Sequence, residues 1–174
     1  LMVPKDKIVY HKKINQLTTG ILVVLLLQLV YGAFMAGHKA ATAAPTWPDI
    51  NGHIIPPNMF GQEGGLLDLI DNRITIHFIH RGLAYVLLAA VLWQASQLFK
   101  SAATAPLDTK RWVPAFLVSV QVALGILSVL SSTEIVPNQW GLFEWMAQLH
   151  QLVAMALLLS QVWLLYVVRR PRLI

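Results

Sequence analysis

Four long apolar stretches constrain the fold of this chain more than any other feature. Of its 174 residues, 56% are hydrophobic and 12% are charged, and the mean hydropathy is +0.60. A transmembrane helix needs about 20 mostly apolar residues. Stretches of that length occupy residues 17–36, 74–99, 112–130 and 145–168. We therefore expect an all-α, multi-pass protein of the cell (inner) membrane, with residues 17–168 forming a four-transmembrane-helix bundle.

The distribution of basic residues predicts the orientation of this bundle. Lys and Arg are concentrated in residues 1–16, 100–111 and 169–174, whereas segments 37–73 and 131–144 carry two basic residues against six acidic ones. Because cytoplasmic segments are enriched in Lys and Arg, both termini should be cytoplasmic. Residues 1–16 are then a cytoplasmic arm, 169–174 a basic tail, and 37–73 and 131–144 outer loops. The net charge of +5 indicates contact with lipid and not with nucleic acid.

The first outer loop is long and rich in Pro and Gly. A loop of this length is usually functional or folded as a lid. Residues 66–70 within it are apolar enough to form a short helix at the membrane interface. The chain begins with Leu and not Met, so it is expected to be a fragment or one half of a longer protein.

A weak internal repeat relates the two halves of the chain. Gln28 and Gly32 in the first span have the same spacing as Gln121 and Gly125 in the third, and each of these spans precedes one that contains His. The repeat suggests two helical hairpins related by a pseudo-twofold axis, although apolar helices also resemble one another by chance. Small and polar residues along each span should face the other helices.

Two histidines lie in different spans at similar depth: His80 in the second and His150 in the fourth. An ionisable side chain within a span is costly and needs a partner. One interpretation is that each imidazole only makes hydrogen bonds between helices. The other is that the two rings face each other across the bundle and bind one haem iron from opposite sides. The matched depth favours haem ligation.

Other polar residues nearby have more than one interpretation. His77 lies one turn before His80, and it could ligate instead, bond a haem propionate or face the loop. Arg81 is expected to bind a propionate because guanidinium pairs well with carboxylates; the alternative is that it reaches the outer interface. The His-x-x-His pair has neither a carboxylate nor a cysteine companion for zinc. The chain contains no cysteine, which excludes disulfides and thiolate ligands.

Several short motifs occur in an order that resembles one known family. They are Thr46-Trp47-Pro48, Asn51-Gly52, Pro56-Pro57, His80-Arg81, Gln121-xxx-Gly125 and Leu149-His150-Gln151. Each is weak alone, but the combination is fairly specific. It resembles the C-terminal half of haem A synthase, the membrane enzyme of cytochrome oxidase biogenesis, over nearly all of residues 17–168.

The resemblance implies an oxidoreductase with eight spans in two similar four-helix halves. The N-terminal half would oxidise the C8 methyl of haem O to a formyl group, giving haem A, and the C-terminal half would hold haem B. By motif position, His80 and His150 are the implied axial ligands of the haem B iron. The implied partners are the N-terminal half or a second copy of the chain, together with haem O synthase and cytochrome oxidase assembly factors.

Two departures bear on which half this chain resembles. His77 stands where the family has a catalytic glutamate, and the cysteine pair found in many N-terminal halves is missing. Both indicate the cofactor-binding half and leave the catalytic residues of this chain unknown. A free-standing oligomer of four-helix chains remains an alternative. So do a membrane cytochrome b subunit that serves quinone without a role in haem synthesis, and a structural or transport module without a cofactor.

Overall fold

The computed structural model describes residues 10–57, 59, 65–101, 104, 107 and 110–169. These residues form helices and turns, with one isolated β-bridge between Ile50 and His53. The helices are α1 (Lys12–Gly37), α2 (Asp68–Asp71), α3 (Arg73–Lys100), α4 (Val113–Leu130) and α5 (Leu142–Val167). Short 3₁₀ turns cover Ala40–Ala43, Gly65–Leu67 and Ser131–Glu134.

Helices α1, α3, α4 and α5 are long and apolar enough to cross a membrane. The prediction of an all-helical chain with four candidate spans is therefore confirmed for the described residues. The cytoplasmic placement of both termini stays a prediction. Residues 1–9 of the predicted arm and 170–174 of the predicted tail lie outside the described residues.

Two helices begin earlier than hydropathy predicts, and a side chain caps the start of each. α1 begins at Lys12, where the Nδ1 atom of His11 accepts a hydrogen bond from the Ile14 N–H at 3.4 Å. α5 begins at Leu142, where the Gly141 N–H donates to the Glu144 carboxylate at 2.8 Å. These contacts satisfy backbone and side-chain groups at the helix starts. The last residues of the predicted arm are consequently helical.

The four long helices pack as two hairpins side by side. The most extensive contacts join α1 to α3 and α4 to α5, and further contacts join α3 to α4 and α1 to α5. Helices α3 and α5 therefore lie on one diagonal of the bundle. This arrangement agrees with the pair of hairpins that the internal repeat suggests.

Apolar side chains fill the bundle centre between these helices. One cluster contains Ile21, Leu25, Leu87, Val91, Val118 and Leu157, and a second one near the end of α5 contains Ile14, Leu98, Leu107, Leu164, Val167 and Val168. Large apolar side chains such as Leu26, Val86 and Leu159 stay exposed on the outer surface, as expected of helices that face lipid. In the long loop, the turn Gly65–Leu67 and α2 occupy the position of the predicted short helix.

Candidate functional site

The imidazoles of His80 and His150 meet across the α3–α5 diagonal. Their ring centroids are 6.4 Å apart and their planes are inclined by 66°. Each histidine lies about two turns from the first residue of its helix, so matched helix starts bring the rings to one level. The structure thus brings together the two histidines that the sequence singles out.

A glutamine from the neighbouring helix contacts the Nε2 atom of each imidazole. The Gln121 side-chain amide lies 3.1 Å from His150 Nε2, and the Gln28 amide lies 3.3 Å from His80 Nε2. His150 Nδ1–H also donates to the backbone carbonyl of Gln121 at 3.0 Å. This bond places the proton of His150 on Nδ1 and leaves the Nε2 lone pair as an acceptor.

Sequence reasoning did not assign Gln28 and Gln121 to the site. The repeated Gln-xxx-Gly spacing was the sequence signal that could have identified them. In the structure, the Gln and the Gly of each repeat both lie beside a site histidine. A Cβ atom at Gly125 would lie 3.0 Å from His150 Cε1, and one at Gly32 would lie 3.5 Å from His80 Cε1. Glycine therefore lets each ring approach the neighbouring helix closely, and the requirement is stricter at Gly125.

His77 and Arg81 face the loop between α1 and α3 and not the pair of rings. The Arg81 guanidinium donates to the carbonyl oxygens of Thr46 at 3.0 Å, Pro48 at 3.1 Å and Asp49 at 2.6 Å. It also donates to His77 Nε2 at 3.0 Å, and the His77 side chain is buried. The structure places His77 beside Arg81 beneath the loop, and its role stays a prediction.

The loop above Arg81 is folded around the side chain of Asp49. Its carboxylate accepts hydrogen bonds from the Gly52 N–H at 2.8 Å and from the Thr46 hydroxyl at 2.7 Å. These two bonds hold the pKa of Asp49 below its ordinary value. Gly52 has a φ of 85°, a left-handed conformation that glycine adopts without strain. Residues 46–52 and the Arg81 side chain together cover the N-terminal end of α3, and we call this turn the Asp49 turn.

The centroid separation of the two rings is the one expected for two histidines that hold one metal ion. Two imidazoles, each joined to that metal by a bond of about 2 Å, would have ring centroids roughly 6.3 Å apart, against 6.4 Å in this structure. A porphyrin supplies the other four nitrogen ligands, so two histidines are a sufficient protein contribution. The buried atoms His80 Nδ1, Gln28 Oε1 and Gln121 Oε1 have no hydrogen-bond partner among the residues that the structure describes, so each could still accept or donate a bond beside the rings. Among the described residues, no group of three or more His, Cys, Asp or Glu side chains could hold a metal ion.

Comparison with known proteins now identifies the family. A family model described as cytochrome oxidase assembly protein matches residues 2–162. The chain belongs to the cytochrome oxidase assembly protein family. Helices α1, α3 and α4, both site histidines and both glutamines of this family member lie within the matched residues. With four membrane-spanning helices, it is a multi-pass membrane protein.

Curated relatives of this cytochrome oxidase assembly protein are named heme A synthase. The Sinorhizobium medicae protein is 36% identical over 76% of this chain and 35% of its own length. The Rhodopseudomonas palustris protein is 38% identical over 67% of this chain and 32% of its own length. The Rhizorhabdus wittichii protein is 31% identical over 90% of this chain and 41% of its own length. The chain thus spans about a third of the length of the first of these relatives, and no solved structure matches it.

Proposed function

We propose that this chain is the haem-B-binding half of a haem A synthase, with His80 and His150 as axial ligands of the iron. The observation that carries the proposal is the approach of the two imidazoles across the α3–α5 diagonal, with centroids 6.4 Å apart. The relatives named heme A synthase supply the reaction class. When bound, haem B would supply a one-electron carrier, and His80 and His150 would be the residues that hold it.

The residues around the rings prepare them for ligation. The Nδ1–H of His150 is fixed by the Gln121 carbonyl, which orients the ring and leaves the unprotonated Nε2 as the atom that could ligate. The two glutamine amides that contact Nε2 must turn aside when iron binds, and both are side chains with rotatable bonds. Gly32 and Gly125 let the rings lie close against α1 and α4.

Arg81 is proposed as the propionate partner because it follows His80 directly and lies at the outer end of the site. Three loop carbonyls hold its guanidinium, so the side chain is already fixed in one position before a propionate binds. A propionate would replace one of these carbonyls as a charge-assisted acceptor.

The oxidation of haem O to haem A is assigned to another half of the enzyme. His77 stands at the position of the family's catalytic glutamate, and its Nε2 atom accepts a hydrogen bond from Arg81. This position therefore offers an imidazole bound to Arg81 and no carboxylate. We therefore propose that this chain supports catalysis in an N-terminal half or a second copy, within cytochrome oxidase biogenesis. Haem O synthase and oxidase assembly factors are the proposed partners.

Reduced-minus-oxidised visible spectra of the purified chain test this proposal. We expect a low-spin haem signal in the wild type and in His53→Ala, an exposed loop variant, and its loss in His80→Ala and His150→Ala. A colourless wild-type protein would refute haem binding. Conversion of haem O by the full-length parent, and its loss in the same variants, tests the role in haem synthesis. Reduction by quinol without haem O conversion would instead support the cytochrome b alternative.

A further inference from the structure

A reciprocal pair of buried amides joins α3 and α5 at a second level of the bundle. Gln94 Nε2 donates to Gln161 Oε1 at 3.0 Å, and Gln161 Nε2 donates to Gln94 Oε1 at 2.9 Å. Gln94 Nε2 also donates to the Thr18 hydroxyl of α1 at 2.9 Å. All three side chains have an exposed fraction of 0%. These residues are outside the proposed haem site, and that function does not use them.

The amide pair lies directly along the helices from the histidine pair. Gln94 follows His80 by 14 residues in α3, and Gln161 follows His150 by 11 residues in α5. At 1.5 Å per residue the two levels are about 16–21 Å apart. Helices α3 and α5 face each other across the centre of the bundle. Apolar side chains such as Leu87, Val91 and Leu157 fill the space between the two levels. Side chains of α3 and α5 thus meet across this diagonal at two levels. Two histidines meet at one level and two glutamines at the other.

A carboxamide pair fixes register in a way that apolar packing does not. Each amide presents one donor edge and one acceptor edge, and the two hydrogen bonds form together only at one relative height and rotation of the helices. In an apolar interior, sliding by one residue would leave both amides unsatisfied, and each lost bond is costly there. Leucine and valine, in contrast, can repack after small shifts with limited cost.

We propose that the Gln94–Gln161 pair is a positioning element that sets the spacing and register of α3 and α5. It holds α3 and α5 together at the level of Gln94 and Gln161, so that His80 and His150 face each other at the other level. The helix-positioning part stands independently, whereas its consequence for iron ligation rests on the proposed haem function. Gln94 and Gln161 are positioning residues and touch neither ring.

The distance between α3 and α5 tests the positioning directly, without haem. The chain contains no cysteine, so nitroxide labels can be attached to Val86→Cys and Leu152→Cys, which are 55% and 57% exposed on α3 and α5. In the full chain without haem, we expect a narrow interspin distance distribution. Gln94→Met/Gln161→Met keeps similar side-chain volume and removes both bonds, and it should broaden or shift the distribution. An unchanged distribution would overturn the proposal.

A matched control separates this effect from a general response to polar-to-apolar replacement. Gln97 lies on α3 one turn beyond Gln94, and within the part of the chain that the structure describes its amide contacts its neighbour Ser96 alone, at 3.5 Å. Gln97→Met should therefore leave the interspin distribution unchanged. If Gln97→Met broadens it as much as the double variant does, the pair has no special role and the proposal fails.

Haem affinity and the midpoint potential test the consequence for ligation. Interhelical hydrogen bonds in membranes are individually modest, so removing both should weaken haem affinity by roughly ten-fold and shift the midpoint potential. Gln161→Glu should restore both values, because a neutral carboxyl group both donates to and accepts from Gln94. Val118→Ala, in the α4 part of the core, reports lost stability alone and should leave the potential unchanged.

The outcomes distinguish this proposal from the proposed function. If the wild type binds no haem, the haem assignment fails while the interspin distances still decide the positioning role. If haem binds and the methionine variant keeps wild-type affinity, potential and distances, the positioning role fails alone. If the methionine variant does not fold, recovery of fold and distances by Gln161→Glu supports the pair, and failure of that rescue refutes it.

Discussion

The two glycines beside the histidines should respond differently to the same substitution. A Cβ at Gly125 would lie 3.0 Å from His150 Cε1 and 3.4 Å from Nδ1, closer than ordinary van der Waals contact. The ring cannot move away freely, because Gln121 holds both of its nitrogens from the same helix as Gly125. At Gly32 the corresponding distance to His80 is 3.5 Å, which is normal contact.

These distances set the magnitude of the expected effects. Overpacking a well-filled site costs about 1–3 kcal/mol, whereas replacing a helical glycine by alanine gains up to about 1 kcal/mol. Gly125→Ala should therefore lower the free energy of unfolding by about 0–3 kcal/mol. Gly32→Ala should leave it unchanged or raise it by up to about 1 kcal/mol. The variants should differ by about 1–3 kcal/mol.

Unfolding in mixed detergent micelles measures these differences, and titration with haem B measures the effect on the site. Gly82→Ala is the control for helix propensity, because a Cβ there meets nothing within 4 Å. We expect Gly125→Ala to weaken haem binding and Gly32→Ala to preserve it. Equal stability and equal haem affinity of the two variants would show that the ring at His150 is not held as the structure indicates.

Three further perturbations test the Asp49 turn (residues 46–52) and the start of α3 beneath it. Arg81→Ala removes the bonds to three loop carbonyls and should speed proteolysis of residues 46–52, whereas Arg81→Lys should restore protection only partly because a single ammonium lacks the guanidinium fork. Asn72→Ala removes the side-chain acceptor for the Ile74 and Thr75 N–H groups and should lower the unfolding free energy by about 1 kcal/mol; no change would show that this cap is dispensable. Because the folded pKa of Asp49 lies below its ordinary value of 3.8, its stabilisation of the turn is present above pH 3.8 and is lost as the pH falls through the folded pKa. Amide exchange at Gly52 should rise in that range, and a flat profile would contradict the assignment.

The fold was largely predictable because a bilayer imposes strong rules on composition and length. The four apolar stretches predicted four helices, and the similar depths of His80 and His150 in their spans predicted that the two rings would face each other. The start of α1 at Lys12 was not predictable from hydropathy, because the helix begins in a polar segment capped by His11.

The polar partners within the bundle were harder to predict than the helices. A glutamine in a span signals that it needs a partner, but Gln94 and Gln161 are 67 residues apart, and only tertiary packing pairs them. Arg81 likewise bonds to loop carbonyls 32–35 residues away. Backbone carbonyls occur at every residue, so sequence patterns cannot identify which of them an arginine will reach. Orientation in the membrane stays a prediction from charge.

Electron paramagnetic resonance of the ferric protein tests the central claim most directly. The account predicts a low-spin signal typical of two imidazole ligands in the wild type and in His77→Ala. His80→Ala and His150→Ala should each convert the iron to a high-spin form or lose it altogether. A low-spin signal that survives both of these substitutions, or that disappears in His77→Ala instead, would contradict ligation by His80 and His150.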